Sequence, residues 1–216
     1  NYVWLEAGSN LGIVNDDAAA YNDRTTTKHL ATLLDAVGVR WKSYVEGIGG
    51  DICPFEDKGA YASKHVPVLF FDDVWNNCVA HVRPYSELGS DLSSGTAPQY
   101  NFITPNLCHD MHDGCTSSDL VKGGDDWLAA EVPKILASRA YKDGGAIFIT
   151  WDEGTGGDAP IGMIAISPFA KPGYAGTVPY SHSSTLRTMQ EIFAVQPYLR
   201  DAANASSLSD LFATFP

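Results

Sequence analysis

The sequence has no apolar run approaching the ~20 residues that span a bilayer, so no transmembrane segment is expected. It is short of positive charge: 14 Lys and Arg against 26 Asp and Glu leave a net charge of −12. Sequence-independent binding to a phosphate backbone relies on dense Lys and Arg, so a nucleic-acid partner is excluded as a general function. No internal repeat and no second domain is visible, and 216 residues suffice for one α/β domain with a sizeable core, predicted over residues 1–216. No signal peptide is visible either. The chain opens on the apolar run Asn1-Tyr2-Val3-Trp4, which leads us to expect a processed or incomplete N-terminus.

Cysteine is scarce, and none of Cys53, Cys78, Cys108 and Cys115 sits in a CxxC or at zinc-finger spacing. Four cysteines allow three connectivities, and closure of the shortest loop favours Cys108–Cys115, leaving Cys53–Cys78. Four unrelated buried thiols are the alternative. With few Lys and abundant Tyr, Trp, Gly, Ser and Thr, the composition is that of a secreted or periplasmic protein.

What is present is a 44% hydrophobic, globular composition punctuated by buried-strand patterns. Ala146–Gly157, AIFITWDEGTGG, runs apolar to Trp151 and then presents Asp152 and Glu153, followed by Gly154, Thr155, Gly156 and Gly157. Such a run predicts a strand buried on both faces, with the two acids at the sheet's carboxyl edge, where open α/β folds keep their ligand sites. Two adjacent carboxylates repel unless a cation or proton offsets the charge, so the pair marks a metal or catalytic site, a solvated acidic loop being the alternative.

Further strands are predicted over Arg40–Val45, Val68–Phe71, Tyr100–Thr104 and Ile161–Ser167, the last antiparallel to Ala146–Trp151 or at an edge. Helices are predicted from a Thr25–Thr27 cap to Val37, over Tyr85–Leu92, over Asp125–Tyr141 and after a Ser183 or Ser184 cap. Pro133 conflicts with the third of these and predicts a kink or a later start. Asp72–Arg83 reads as loop.

Three places carry candidate chemistry. Ser9 follows a Gly after the apolar opening, and reads either as the cap of a helix or as a nucleophile held where backbone N–H groups favour an anion. Asn106–Cys115 holds His109, Asp110, His112 and Asp113, residue types of metal sites and phosphoryl transfer. His65 precedes a predicted strand and His182 a predicted helix; each is a candidate for proton transfer or ligation, or a bystander.

Taken together, WLEAGSNLG, WKSY, SKHVP, YNFITPNLCHDMHDGC, DDWLAAEVPKILAS, GGAIFITWDEG and SHSSTLRTMQEIF resemble the bacterial phosphoesterase family that contains secreted acid phosphatases and phospholipase C-type enzymes. The resemblance covers nearly the entire chain. It implies a three-layer α/β/α sandwich around a mostly parallel sheet, related to alkaline phosphatase, and hydrolysis of phosphate esters through a phosphorylated Ser or Thr at a metal-assisted site. It assigns Ser9 as nucleophile, Asp152 and Glu153 as cation ligands with Ser9 and Asp110 as further oxygens, and His65, His112 and His182 as catalytic. The implied cofactor is a divalent metal ion, whether Ca, Mg, Mn, Zn or Fe. The implied partner is a small phosphorylated substrate or a phospholipid head group.

Val66 stands where the family string Lys-His-Asn-Pro carries Asn, and His109 where an acid or Asn is common. The family's first strand, ending in a Glu-Asn pair, is expected to precede Asn1. These departures motivate the competing readings: a catalytically inactive relative acting as an extracellular binding or structural protein, or a phospholipase C-type phosphodiesterase.

Overall fold

A computed structural model describes residues 1–115, 118–154 and 160–215. In chain order its helices and strands are α1 (Tyr2–Ala7), α2 (Leu30–Ala36), β1 (Trp41–Val45), α3 (Asp72–Trp75), α4 (Cys78–His81), β2 (Val82–Pro84), α5 (Leu88–Ser94), β3 (Tyr100–Thr104), α6 (Leu120–Ala137), α7 (Arg139–Lys142), β4 (Ile147–Thr150), β5 (Met163–Ile166) and α8 (His182–Ile192). The chain divides into two compact units: Asn1–Val14 with Lys28–Gly38 and Asp143–Pro216, and Asn15–Thr27 with Val39–Lys142. It is of the α/β class, with a parallel three-stranded sheet and helices, consistent with an alkaline phosphatase-like α/β fold.

The second unit holds the parallel sheet, in the order β2-β1-β3. Ser43 pairs with Val82 on one side of β1 and with Phe102 on the other. Flanked on both sides, β1 buries Trp41, Ser43, Tyr44 and Val45, as a central parallel strand must when elements cover both its faces. Tyr44, Leu88 and Leu92 form a core cluster against which Tyr85, Ala97, Ile103 and Ile135 pack, so α5 and α6 lie on this sheet. The α6 helix runs through Pro133 without ending there and starts five residues before the predicted Asp125, where Asp119 caps it by accepting the Lys122 N–H at 3.0 Å. The missing Pro133 N–H costs one internal bond. That loss is tolerated in a helix of 18 residues with a packed face.

Two predictions in this unit are corrected. Val68–Phe71 is buried, as expected of so apolar a run, but Pro67–Phe70 is a 3-10 turn and not a strand. Pro67 fixes φ at the turn's start, and a run this short does not distinguish strand from helix by periodicity. Conversely, the Asp72–Arg83 loop contains α3, α4 and the start of β2, a strand concealed by its length of three residues and its Pro84.

In the first unit, α1 and α2 pack together and α1 packs on α8, burying Val3, Leu5, Leu30, Leu34, Leu186 and Met189. Tyr2–Ala7 is helical where the sequence predicted only an apolar run, and Gly8 terminates it in the left-handed conformation (φ 65°, ψ 27°). Ser9 therefore follows a helix and does not cap one. β4 and β5 pair antiparallel, Ile147 with Ile166 through Thr150 with Met163. β4 is half-buried along its length rather than enclosed on both faces as expected, and among the described residues β5 is its one neighbour strand. Thr155, Gly156 and Gly157, the glycine-rich continuation of this stretch, lie outside the described residues.

Candidate active site

The expected site residues fall in both units. Ser9, Asp152, Glu153 and His182 belong to the first; His65, Asp110 and His112 belong to the second.

In the first unit, Ser9 is half-buried in the turn that leaves α1. Its Oγ accepts the Leu11 N–H at 3.1 Å, and Leu11 takes a positive φ of 52° to make that bond. The hydroxyl is thus oriented by its own backbone, as Ser often is in tight turns. In the same unit, Glu6 and His29 are fully buried side by side. Glu6 Oε1 accepts the Ala31 N–H at 2.7 Å and lies 2.9 Å from His29 Nδ1, while His29 Nε2 is 2.8 Å from Thr32 Oγ1. A buried carboxylate is tolerable only with such partners, and this one fastens α1 to the start of α2.

Asp152 and Glu153 follow β4 at the strand's carboxyl end, as expected. Asp152 is half-buried and Glu153 exposed. Asn1 Nδ2 donates to Glu153 Oε2 at 2.6 Å. His182, the first residue of α8, donates from Nε2 to the backbone oxygen of Asp152 at 2.6 Å. A carbonyl only accepts, so Nε2 carries the proton and, in the neutral ring, Nδ1 is the basic nitrogen. Ser181 is the helix's N-cap, not Ser183 or Ser184; Ser184 instead accepts the Ser181 N–H at 3.2 Å.

In the second unit, the carboxyl ends of β1 and β3 lead into the polar residues, the edge at which ligands bind in open α/β sheets. His65 ends a 3-10 turn, is 8% exposed, and holds Nδ1 at 3.5 Å from Asp110 Oδ2, so these two expected residues are brought together. His112 is not brought to them. Its side chain is 69% exposed and pairs with neighbouring Asp113 at 2.8 Å, while its backbone N–H donates to Asp110 Oδ1.

Sequence reading missed Glu46, which directly follows β1. It accepts the Asn106 N–H at 3.0 Å and lies 2.8 Å from His109 Nδ1, tying the 106–115 loop to the central strand. Its position one residue beyond a buried strand was the available signal. The Cys108–Cys115 bond closes the same loop, and Cys53–Cys78 is the second disulfide, both as predicted.

Carboxylates and hydroxyls are the donors that hard divalent cations take, and Asp152, Glu153 and Ser9 supply them. Among the described residues, however, no group of three or more His, Cys, Asp or Glu is arranged to hold a metal ion. The acid pair by itself does not make up such a group.

Comparison with known proteins adds the following. Residues 1–196 match the model of the Phosphoesterase family. A phosphatidylinositol-3-phosphatase of Mycobacterium tuberculosis is 27% identical over 98% of this chain and 67% of its own length. A phosphate-repressible acid phosphatase of Penicillium chrysogenum is 27% identical, and a probable acid phosphatase of Kluyveromyces lactis 30% identical, each over 71% of this chain. The match spans only 37% of the length of either fungal protein.

Proposed function

Because the chain belongs to the phosphoesterase family, we propose that it hydrolyses phosphate esters as an acid phosphatase-type monoesterase, through a phosphoserine formed on Ser9. The observation that carries this reading is the family match itself, which runs through both units and includes every candidate residue: Ser9, His65, Asp110, His112, Asp152, Glu153 and His182. Residues 1–216 are accordingly taken as one phosphoesterase domain. The relatives' names favour monoesters over diesters, since all are phosphatases. A small phosphorylated molecule or a phospholipid head group fits that class. Two disulfides favour an exported protein, and no helix among the described residues is long and apolar enough to cross a membrane.

In this mechanism Ser9 Oγ attacks phosphorus, the bond to the leaving oxygen breaks, and that oxygen departs with a proton. Water then attacks the phosphoserine, releasing phosphate and restoring the hydroxyl. The Leu11 N–H holds Ser9 Oγ in one orientation, which lowers the entropic cost of reaching an in-line geometry. His182 fixes the peptide of Asp152 through Nε2 and has Nδ1 for proton exchange. His65 is steadied by Asp110, whose Oδ2 lies 3.5 Å from its Nδ1. His112 retains the role the family assigns it only as a solvent-facing group.

The family is generally metal-dependent, and Asp152 and Glu153 are the residues proposed to hold a divalent cation, with Ser9 as a further oxygen. When bound, such a cation supplies Lewis acidity at a phosphate oxygen. The direct test is turnover of an aryl phosphate by the intact protein and by Ser9→Ala. Turnover is expected to vanish in the variant while its circular dichroism stays unchanged. Equal activity in the variant removes Ser9 as nucleophile.

A further inference from the structure

Arg200 lies outside every motif that suggested a function, yet it grips the turn that presents Ser9. Its Nη1 donates to the backbone oxygen of Ala7 at 2.9 Å and to that of Lys28 at 2.8 Å. Ala7 ends α1, so its carbonyl is among those a helix leaves without an internal partner, and a cation there meets the negative end of the helix dipole. On either side of Arg200 the backbone closes over the same turn. The Asp201 N–H donates to the Gly8 oxygen at 3.2 Å, and the Leu199 oxygen lies where a Cβ on Gly8 would approach to 2.5 Å.

This grip is held at a cost. Arg200 takes a φ of 40°, a left-handed conformation uncommon for a residue with a side chain. Burial also depresses its guanidinium pKa below the ordinary value. A strained backbone and a desolvated cation both coincide at one residue, whose bonds end one position short of Gly8 and two short of Ser9.

We infer that Arg200 is a positioning residue for Ser9. By joining the Ala7 and Lys28 carbonyls through a single nitrogen, it fixes the end of α1 against the chain entering α2. It thereby sets the direction from which Ser9 Oγ reaches phosphorus. The inference rests on the reading of Ser9 as nucleophile. An error of about 1 Å in the approach of reacting groups costs on the order of a hundredfold in rate.

The test measures kcat and KM for an aryl phosphate in the intact protein for Arg200→Ala, Arg200→Gln, Arg200→Lys and Ser9→Ala, with melting temperatures alongside. Arg200→Ala is expected to lower kcat by roughly ten- to a hundredfold with KM changed less than about threefold. Arg200→Lys, whose ammonium can still bridge the two carbonyls, is expected to recover most of that loss. Should the Ala variant fail to fold, Arg200→Gln, which keeps part of the aliphatic stem and loses both the charge and the reach of Nη1, carries the same expectation. Wild-type kcat in the Arg200 variants beside an inactive Ser9→Ala overturns the inference and leaves the nucleophile standing, as does a loss that Lys does not restore. Wild-type turnover by Ser9→Ala overturns both.

Discussion

His182 Nε2 and the backbone oxygen of Asp152 are joined by a 2.6 Å hydrogen bond across 30 residues of sequence, tying the end of β4 to the first turn of α8. The acid pair is thereby held by a peptide anchored to a helix and not by a loose loop. Gln places its amide nitrogen near the position of Nε2, so His182→Gln keeps the bond, whereas His182→Ala loses it. Removing one such bond costs about 1 kcal/mol, and kcat is expected to fall roughly tenfold more in His182→Ala than in His182→Gln. Steady-state kinetics on an aryl phosphate check this ordering; equal losses would show that the bond is incidental and that Nδ1 carries whatever role the ring has.

Gly8 and Gly12 both have positive φ, 65° and 80°, but only Gly8 is also crowded, by the Leu199 backbone oxygen. Left-handed strain alone costs about 1 kcal/mol on substitution by Ala, and a backbone clash adds to it. Thermal or denaturant unfolding is therefore expected to show Gly12→Ala mildly destabilised and Gly8→Ala destabilised by at least ~2 kcal/mol more. Near-equal effects contradict the close approach of residues 199–201 to the turn.

The disulfides separate stability from activity. Cys53–Cys78 closes a loop of 25 residues and Cys108–Cys115 one of 7. Chain-entropy arguments give about 3.5 kcal/mol for the longer and about 2.5 kcal/mol for the shorter. Replacing the longer pair by Ser is expected to lower the melting temperature more. Replacing the shorter pair is expected to lower kcat more, because that loop carries Asp110, the partner of His65. Melting and turnover of the two double variants check the crossing.

Glu87 supplies a pH dependence. Its fork with Arg83, Nε to Oε2 at 2.9 Å and Nη2 to Oε1 at 2.6 Å, holds the Glu87 carboxyl below the ordinary value of 4.5. A depressed folded-state pKa contributes stability above the unfolded value, and that contribution is lost as pH falls through the folded one. Denaturant unfolding of Glu87→Gln between pH 6 and about pH 3 is expected to show a shallower loss of stability than the parent. An identical acid limb in both proteins assigns that loss to other carboxylates.

Much of this was legible before the structure. The strands at 41–45 and 100–104 and the helix at 182–192 followed from apolar runs bounded by turn and capping residues. The disulfides followed from loop closure, and the Asp152–Glu153 pair from its place after an apolar run. Other features were hidden for physical reasons. The six residues of α1 are too few for a helical period to stand out, and β2 is three residues ending in Pro. Glu6 with His29, Glu46 with His109, and Arg200 with Ala7 are contacts between residues 23, 63 and 193 positions apart, which spacing does not reveal. His112 stood out by residue type and motif, and its side chain faces solvent beside Asp113.

The cation half of the account has its own check. Metal analysis of the purified intact protein is expected to find a stoichiometric divalent ion that is lost in Asp152→Ala, a readout independent of turnover. Retention of the same ion in that variant would remove Asp152 from the binding set.

The most direct measurement is acid quench of the intact protein during turnover of an excess of aryl phosphate, followed by mass analysis of its peptides. The account predicts a phosphate-bearing peptide containing Ser9, formed before steady state and absent from Ser9→Ala. Brisk turnover with no phosphate on Ser9 at any quench time would contradict it.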